Sequence, residues 1–140
     1  IFTIDKGSKH GIVVNDPVIT GEGLVGRIIE VGNNYSKVMS IIDERSSISI
    51  IVNRTRDTGI VSGTVNSELI AIMPLESDIV KGDDIITSSF STLPSGLYIG
   101  KVESVEKLER KLQKVVTIKT SVDFKRLEEI FVLKTYSEID

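Results

Sequence analysis

The sequence predicts an all-β fold with no substantial helix, organised as two small six-stranded β-barrels, and three observations carry that expectation. Branched aliphatic residues dominate, with 21 Ile and 16 Val against 9 Leu and a single Ala, Ala71. Side chains branched at Cβ suit a pleated surface, whereas Ala and Leu are the best helix formers. Short β-rich runs also alternate with turn signals along most of the 140 residues, the pattern of barrels and sandwiches. Finally, the first half of the chain reappears in the second. Ile12–Thr20 aligns with Ile79–Thr87, and Phe2–Asp5 with Leu69–Ile72, both at a spacing of 67. Gly23–Val31 resembles Gly96–Val105 with one residue inserted, and Lys37–Ile41 parallels Lys114–Ile118. Five or six short strands in each half suffice to close a small barrel and remove sheet edges. The expected units are residues 1–65 and 66–140, with the first strand, within residues 1–10, free to pair with either barrel.

Taken in order, the first half holds strands near Phe2–Asp5, Pro17–Thr20, Val25–Val31, Lys37–Ile42, Ile48–Val52 and Gly59–Val65. The second holds strands near Leu69–Met73, Asp84–Thr87, Ile99–Val105, Val115–Thr120 and Ile130–Lys134. Alternation is clearest in Ser47-Ile48-Ser49-Ile50 and in Val115–Thr120. Between strands, Gly21-Glu22-Gly23, Gly32-Asn33-Asn34 and Pro94-Ser95-Gly96 supply positive or preset φ and read as turns. Gly23, Gly26, Gly59, Gly63, Gly96 and Gly100 are read as structural turn glycines. Two stretches resist the β reading. Glu106–Lys114 has helix-forming composition but spans only about two turns, so a charged hairpin loop fits equally well. Asp123–Glu129 reads as one turn capped by Asp123.

Composition removes several classes of chemistry. The chain has no Cys, which excludes disulfides, thiolate metal sites and cysteine nucleophiles. Its formal charge is -3, from 17 basic and 20 acidic residues, and seven aromatics are too few for a stacking platform on a basic groove. Nucleic-acid binding is therefore not expected. No run approaches the roughly 18 apolar residues of a membrane helix. The chain starts at Ile1 rather than Met, so it reads as a piece of a longer protein.

The motifs that mimic catalytic or cofactor sites have simpler readings. Gly21–Gly26 matches G-x-G-x-x-G, but a β-branched strand follows where a dinucleotide site needs a helix, so a hairpin with a glycine bulge is expected. His10 is the only histidine, and a double barrel with one histidine raises the alternative of a trypsin-like hydrolase using His10 with Ser88, Ser89 or Ser91. No nucleophile loop accompanies it, and a solvated loop histidine is the simpler reading. One histidine and no cysteine leave no metal cluster, Asp83-Asp84 reads as turn decoration, and no cofactor is expected. What stands out is apolar material at a turn: Phe90, Leu93, Leu97 and Tyr98 surround Pro94-Ser95-Gly96, where a loop is normally polar. These four are the candidate partner-binding residues.

Thr3–Ser8, Gly11-Ile12, Asp16-Pro17-Val18 and Gly23-Leu24-Val25-Gly26-Arg27 together resemble the bacterial rod shape-determining protein MreC family. So do Asp43, Arg54-Thr55 with Gly59–Gly63, Asp78–Ser88, Pro94-Ser95-Gly96, Gly100-Lys101-Val102, and Asp123-Phe124 with Arg126–Ile130. The resemblance preserves order over essentially the whole chain. It implies two barrels of chymotrypsin-like general architecture without catalytic residues. It further implies a non-enzymatic scaffold of the cell-elongation and peptidoglycan-synthesis machinery, outside the cytoplasmic membrane and anchored by an N-terminal transmembrane helix. The implied partners are penicillin-binding proteins, MreD, and other copies of itself in a dimer or filament. One departure is Ser89-Phe90-Ser91-Thr92-Leu93, where relatives often carry a glycine-rich loop.

Overall fold

The computed structural model describes residues 1–134. Its strands are β1 (Phe2–Ile4), β2 (Pro17–Thr20), β3 (Gly23–Val31), β4 (Ser36–Ser40), β5 (Ser47–Val52) and β6 (Thr58–Gly63). They continue as β7 (Leu69–Pro74), β8 (Asp84–Thr87), β9 (Tyr98–Leu108), β10 (Gln113–Thr120) and β11 (Phe131–Val132). The only helical pieces among the described residues are 3-10 turns at Ser8–His10 and Glu109–Lys111. The ambiguous stretch Glu106–Lys114 is thus a hairpin, with β9 running to Leu108 and Leu112 taking a left-handed conformation before β10. Asp123 does cap a turn, its carboxylate accepting from the Lys125 N–H at 3.0 Å.

Two β units are present. The second is a closed barrel in the order β10-β7-β6-β5-β8-β9, and the first is a five-stranded sheet in the order β1-β4-β3-β2-β11. The division at residue 65 is corrected by this topology. The hairpin β5–β6 belongs to the second unit, because its inward residues Ile48, Ile50, Val52 and Val61 join the core shared with Leu69, Ala71, Met73 and Ile85. The repeat does restart at Leu69, but the strands that close the barrel precede it. Conversely, β11 returns to the first unit, where Phe131 pairs with Ile19 and Val132 with Val18. The first strand is not shared with the barrel either: β1 pairs with β4, Phe2 opposite Val38. Residues 135–140 of the expected second unit lie outside the described residues.

The internal repeat is a true structural duplication. β1-β4-β3-β2 matches β7-β10-β9-β8, strand for strand. Even the irregularities recur. A bulge lies between Val18 and Ile19 in the first unit and between Ile85 and Ile86 in the second. Another follows Ile28 on β3 and Val102 on β9. These registers correct the fourth sequence match. Ile28 faces Val38 and Val102 faces Ile118, so β4 and β10 are related by 80 residues and not 77. Side chains alternate faces with period two, so an odd slip would turn Val38 from the core to the surface.

Gly26 and Gly100 are the clearest consequence of the duplication. A Cβ on Gly26 would lie 2.1 Å from the Met39 carbonyl oxygen, and one on Gly100 would lie 2.1 Å from that of Lys119. Both glycines sit inside strands and permit close strand approach, so neither is a turn residue; Gly59 and Gly63 are likewise inside β6. Gly96 does make a turn, with φ +86, and Gly23 opens β3. The two units meet along β3 and the residue after β4, where Leu24 and Ile41 join the barrel core while Val25 and Ile28 of β3 and Val38 of β4 face the first unit's own core.

Candidate partner-docking surface

The loop Ser88–Leu97 is built by one residue, Thr87. Its side chain is fully buried at the end of β8, donates to the Pro94 carbonyl at 2.7 Å and accepts from the Leu97 N–H at 2.9 Å. Its backbone bonds both Leu97 and Gly96. The serines tighten the tip, as Ser88 Oγ accepts from the Phe90 N–H at 3.2 Å and Ser91 Oγ from the Leu93 N–H at 3.0 Å. These short side-chain bonds to nearby backbone donors fix the turn without a strand partner. The result is an ordered projection.

The four residues singled out in the sequence have different fates. Phe90 is 81% exposed, whereas Leu93 is 4% exposed and sits in the barrel core. Leu97 is half-buried against that core. Tyr98 is half-buried, and its hydroxyl donates to Asp84 Oδ1 at 2.7 Å. Burial and the Asp84 carboxylate push the phenol up to about 12. The apolar turn therefore presents one ring to solvent, and Leu93 and Leu97 anchor the loop beneath it.

Two residues that composition did not flag complete the surface. Val13 and Val14 are 56% and 52% exposed in the turn before β2. Across a cleft of about 480 Å³ they face Thr92, Leu93 and Pro94 of the projecting loop. The signal available in the sequence was a pair of adjacent valines just before the strand expected at Pro17–Thr20.

A duplicated charge pair fixes the backbone behind each turn. Asp83 is 6% exposed and accepts from the Val80 N–H at 2.9 Å and from Arg54 Nε and Nη2 at 2.7 and 3.0 Å. The Arg54 hydrogen bonds hold its carboxyl below the usual range against the opposing effect of burial. Asp16, 6% exposed, accepts from the Val13 N–H at 3.0 Å and from Lys134 Nζ at 2.5 Å. Asp83 is thus a structural latch and not turn decoration. Lys134 follows β11 as Arg54 follows β5.

His10 and the serines are not brought together. His10 Nδ1 accepts the Gly7 N–H at 3.1 Å within the 3-10 turn Ser8–His10 that follows β1. The Ser88 hydroxyl is spent on the loop, accepting from the Phe90 N–H at 3.2 Å, while its backbone N–H donates to the Ser49 carbonyl of β5 at 3.1 Å. The Gly21–Gly26 motif is a hairpin, Thr20 pairing with Gly23 and a bulge following.

Comparison with known proteins agrees with this architecture. The model of the rod shape-determining protein MreC, barrel core, matches residues 1–134. The cell shape-determining protein MreC of Haemophilus influenzae is 32% identical over 135 residues, covering 94% of this chain and 38% of that protein. The chain thus spans well under half the length of that relative. The crystal structure of MreC from Pseudomonas aeruginosa superposes with a TM-score of 0.85 at 27% identity, covering 94% of this chain and 87% of that one. A complex between the penicillin-binding protein PBP2 and MreC from Helicobacter pylori matches with a TM-score of 0.69 at 19% identity, over 86% of this chain and 79% of that one. That last likeness is one of fold.

Proposed function

The chain belongs to the MreC family of rod shape-determining proteins, and from that premise we propose that it is the scaffold part of a cell-elongation protein that docks a penicillin-binding protein through Phe90. Family membership supports a structural, non-enzymatic role. The parent protein acts at the extracytoplasmic face of the cytoplasmic membrane, held by an N-terminal anchor, where it contacts MreD and other copies of itself. The H. pylori relative was solved with a penicillin-binding protein, which supports that class of partner. The single observation carrying the docking site is the exposed Phe90 ring on a loop whose backbone is fixed by Thr87. A rigid aromatic ring costs little entropy to bury, and truncating such an anchor typically costs about 2 kcal/mol or more. Val13 and Val14 extend the apolar contact.

The test is a binding titration of the anchored, full-length protein against its own penicillin-binding proteins. Phe90→Ser should weaken binding at least about tenfold, which corresponds to about 1.4 kcal/mol, while leaving the melting temperature unchanged. Leu93→Ala should do the reverse, destabilising the barrel by about 3 kcal/mol as a core truncation and sparing affinity in the folded fraction. Unchanged affinity in Phe90→Ser would move the docking surface off this loop. Sedimentation of the anchored protein tests self-association, and co-purification tests MreD.

A further inference from the structure

We propose that the outer face of the barrel on β6, β7 and β10 is a two-fold contact between copies, in which this face packs on the same face of a second chain. Its central row crosses the three strands: Ile60 pairs with Ile72, and Ile72 with Val115. Their neighbours along the strands, Val61, Ala71, Met73 and Val116, are buried in the barrel core, so strand alternation turns the row outward. Ile60 is 52% exposed and Ile72 is 42% exposed. Ser62, Ile70 and Thr117 form the next row, and Pro74 faces Gln113 on the other side. None of these residues carries a charge, in a chain of which 26% is charged. The first charges lie at the margins, Glu106 opposite Val115 on β9 and Lys119 beyond Thr117 on β10. The duplication supplies an internal comparison. Thr3 pairs with Lys37 in the first unit as Ile70 pairs with Thr117 in the barrel. By the same spacings, Asp5 and Tyr35 occupy the places of Ile72 and Val115. Lys37 is ion-paired with Glu30 at 3.6 Å. The shared design therefore accepts charges at these positions, and nothing in strand pairing imposes an apolar row on the barrel.

The absence of charge selects the occupant. A two-fold axis sets each residue against itself or a near neighbour, so a charged patch repels its own image and this one does not. A partner recognised by charge finds nothing to pair with here. The barrel is closed and offers no strand edge, so whatever meets this face meets its side chains. Two β faces pack at about 10 Å with their side chains interdigitated. With strands about 4.8 Å apart and successive outward residues about 6.8 Å apart, three strands present about 300 Å² on each copy. The pair buries about 600 Å², well under the roughly 1,200 Å² of a stable interface. The contact is therefore weak and reversible, and it fills where copies are concentrated. A two-fold contact of this kind closes at the dimer and does not by itself extend a filament. The inference rests on the reading that the parent protein contacts other copies of itself, and gives that contact a surface and a symmetry.

The experiment is sedimentation equilibrium of the 140-residue chain from micromolar to millimolar concentration. The expected result is a reversible monomer–dimer equilibrium that stops at the dimer. Ile72→Lys, and independently Ile60→Lys, should weaken it at least about tenfold, because the axis brings like charges together in a desolvated contact. Mixing Ile72→Lys chains with Ile72→Glu chains should restore dimers, since opposite charges meet there only if the face packs on itself. Asp5→Lys, at the matching place in the first unit, should change nothing. Both isoleucines are exposed, and unchanged melting temperatures show that their variants fold. A chain that stays monomeric at millimolar concentration overturns the proposal. So does dimerisation that neither lysine weakens, or a mixture no better than its separate components. Sedimentation of the anchored parent separates this inference from the reading beneath it. A parent that does not associate refutes the reading, whereas a parent that associates equally well with Ile72→Lys refutes only the face. An Ile72→Cys thiol shielded from maleimide in the dilute, monomeric parent would assign the face to another segment of the same protein. Loss of affinity for a penicillin-binding protein in Ile72→Lys, with self-association unchanged, would assign it to that partner.

Discussion

Replacing Gly100 with alanine is expected to cost this fold several times more than the same change at Gly26, although the two sites look alike locally. In both, the added Cβ would lie 2.1 Å from a carbonyl oxygen of the neighbouring strand, well inside the 3.4 Å at which ordinary contact begins. Strand separation must therefore grow by about 1 Å at that point. For Gly100 the neighbour is β10, which is held between β9 and β7 in a closed barrel, so the displacement runs round the ring. For Gly26 the neighbour is β4, which has only the three-residue β1 beyond it, and the open sheet can yield. Overpacking that cannot relax costs about 3 kcal/mol, at the upper end of the usual range. At about 3 °C per kcal/mol for a chain of this size, Gly100→Ala should melt about 9 °C lower. Gly26→Ala should cost about 1 kcal/mol, or about 3 °C, by the same scale. Urea unfolding of both variants with matched m-values is the assay. Equal losses, or a larger loss at Gly26, would refute the argument that closure governs the cost.

Three further outcomes are expected. Asp83 and Asp84 have lowered folded-state pKa values, through Arg54 and through Lys101 with Tyr98 respectively. Their contribution to stability is therefore present above the unfolded carboxylate value near 4 and is lost as pH falls through the folded values; urea midpoints measured from pH 5 downward should fall, and less steeply in Asp83→Asn. Lys134→Ala removes the bond to Asp16 that fixes β11, so the Leu133 amide, which donates to the Pro17 carbonyl at 2.9 Å, should exchange faster while barrel amides are unaffected. Tyr98 should ionise near 12 in an ultraviolet titration, and Asp84→Asn should bring it down toward the ordinary phenol value by removing the adjacent carboxylate.

What could be read from the chain alone was whatever local pattern and repetition encode. The excess of Ile and Val over Ala and Leu determined an all-β fold, since χ1-branched side chains are the wrong stock for helices. The repeat pointed to two units of the same design, and the structure gives them the same strand order. The likeness to MreC was also legible, carried by glycine, proline and aspartate positions whose reasons are structural: Gly26 and Gly100 at close approaches, Asp16 and Asp83 in buried latches.

Tertiary structure alone decided which unit owns each strand. Alternation in Ser47–Val52 says that one face is buried but not against which core, so proximity in sequence puts the hairpin β5–β6 with the first unit although it belongs to the barrel. The same holds for β11, which crosses back to pair with β2 more than a hundred residues further along the chain. Apolar identity likewise cannot separate an anchor from a docking group. Phe90, Leu93 and Leu97 are equivalent as letters near one turn, yet Thr87 folds the loop so that Leu93 enters the core and Phe90 does not. Burial depends on contacts between residues far apart in the chain, and those exist only once both units have formed.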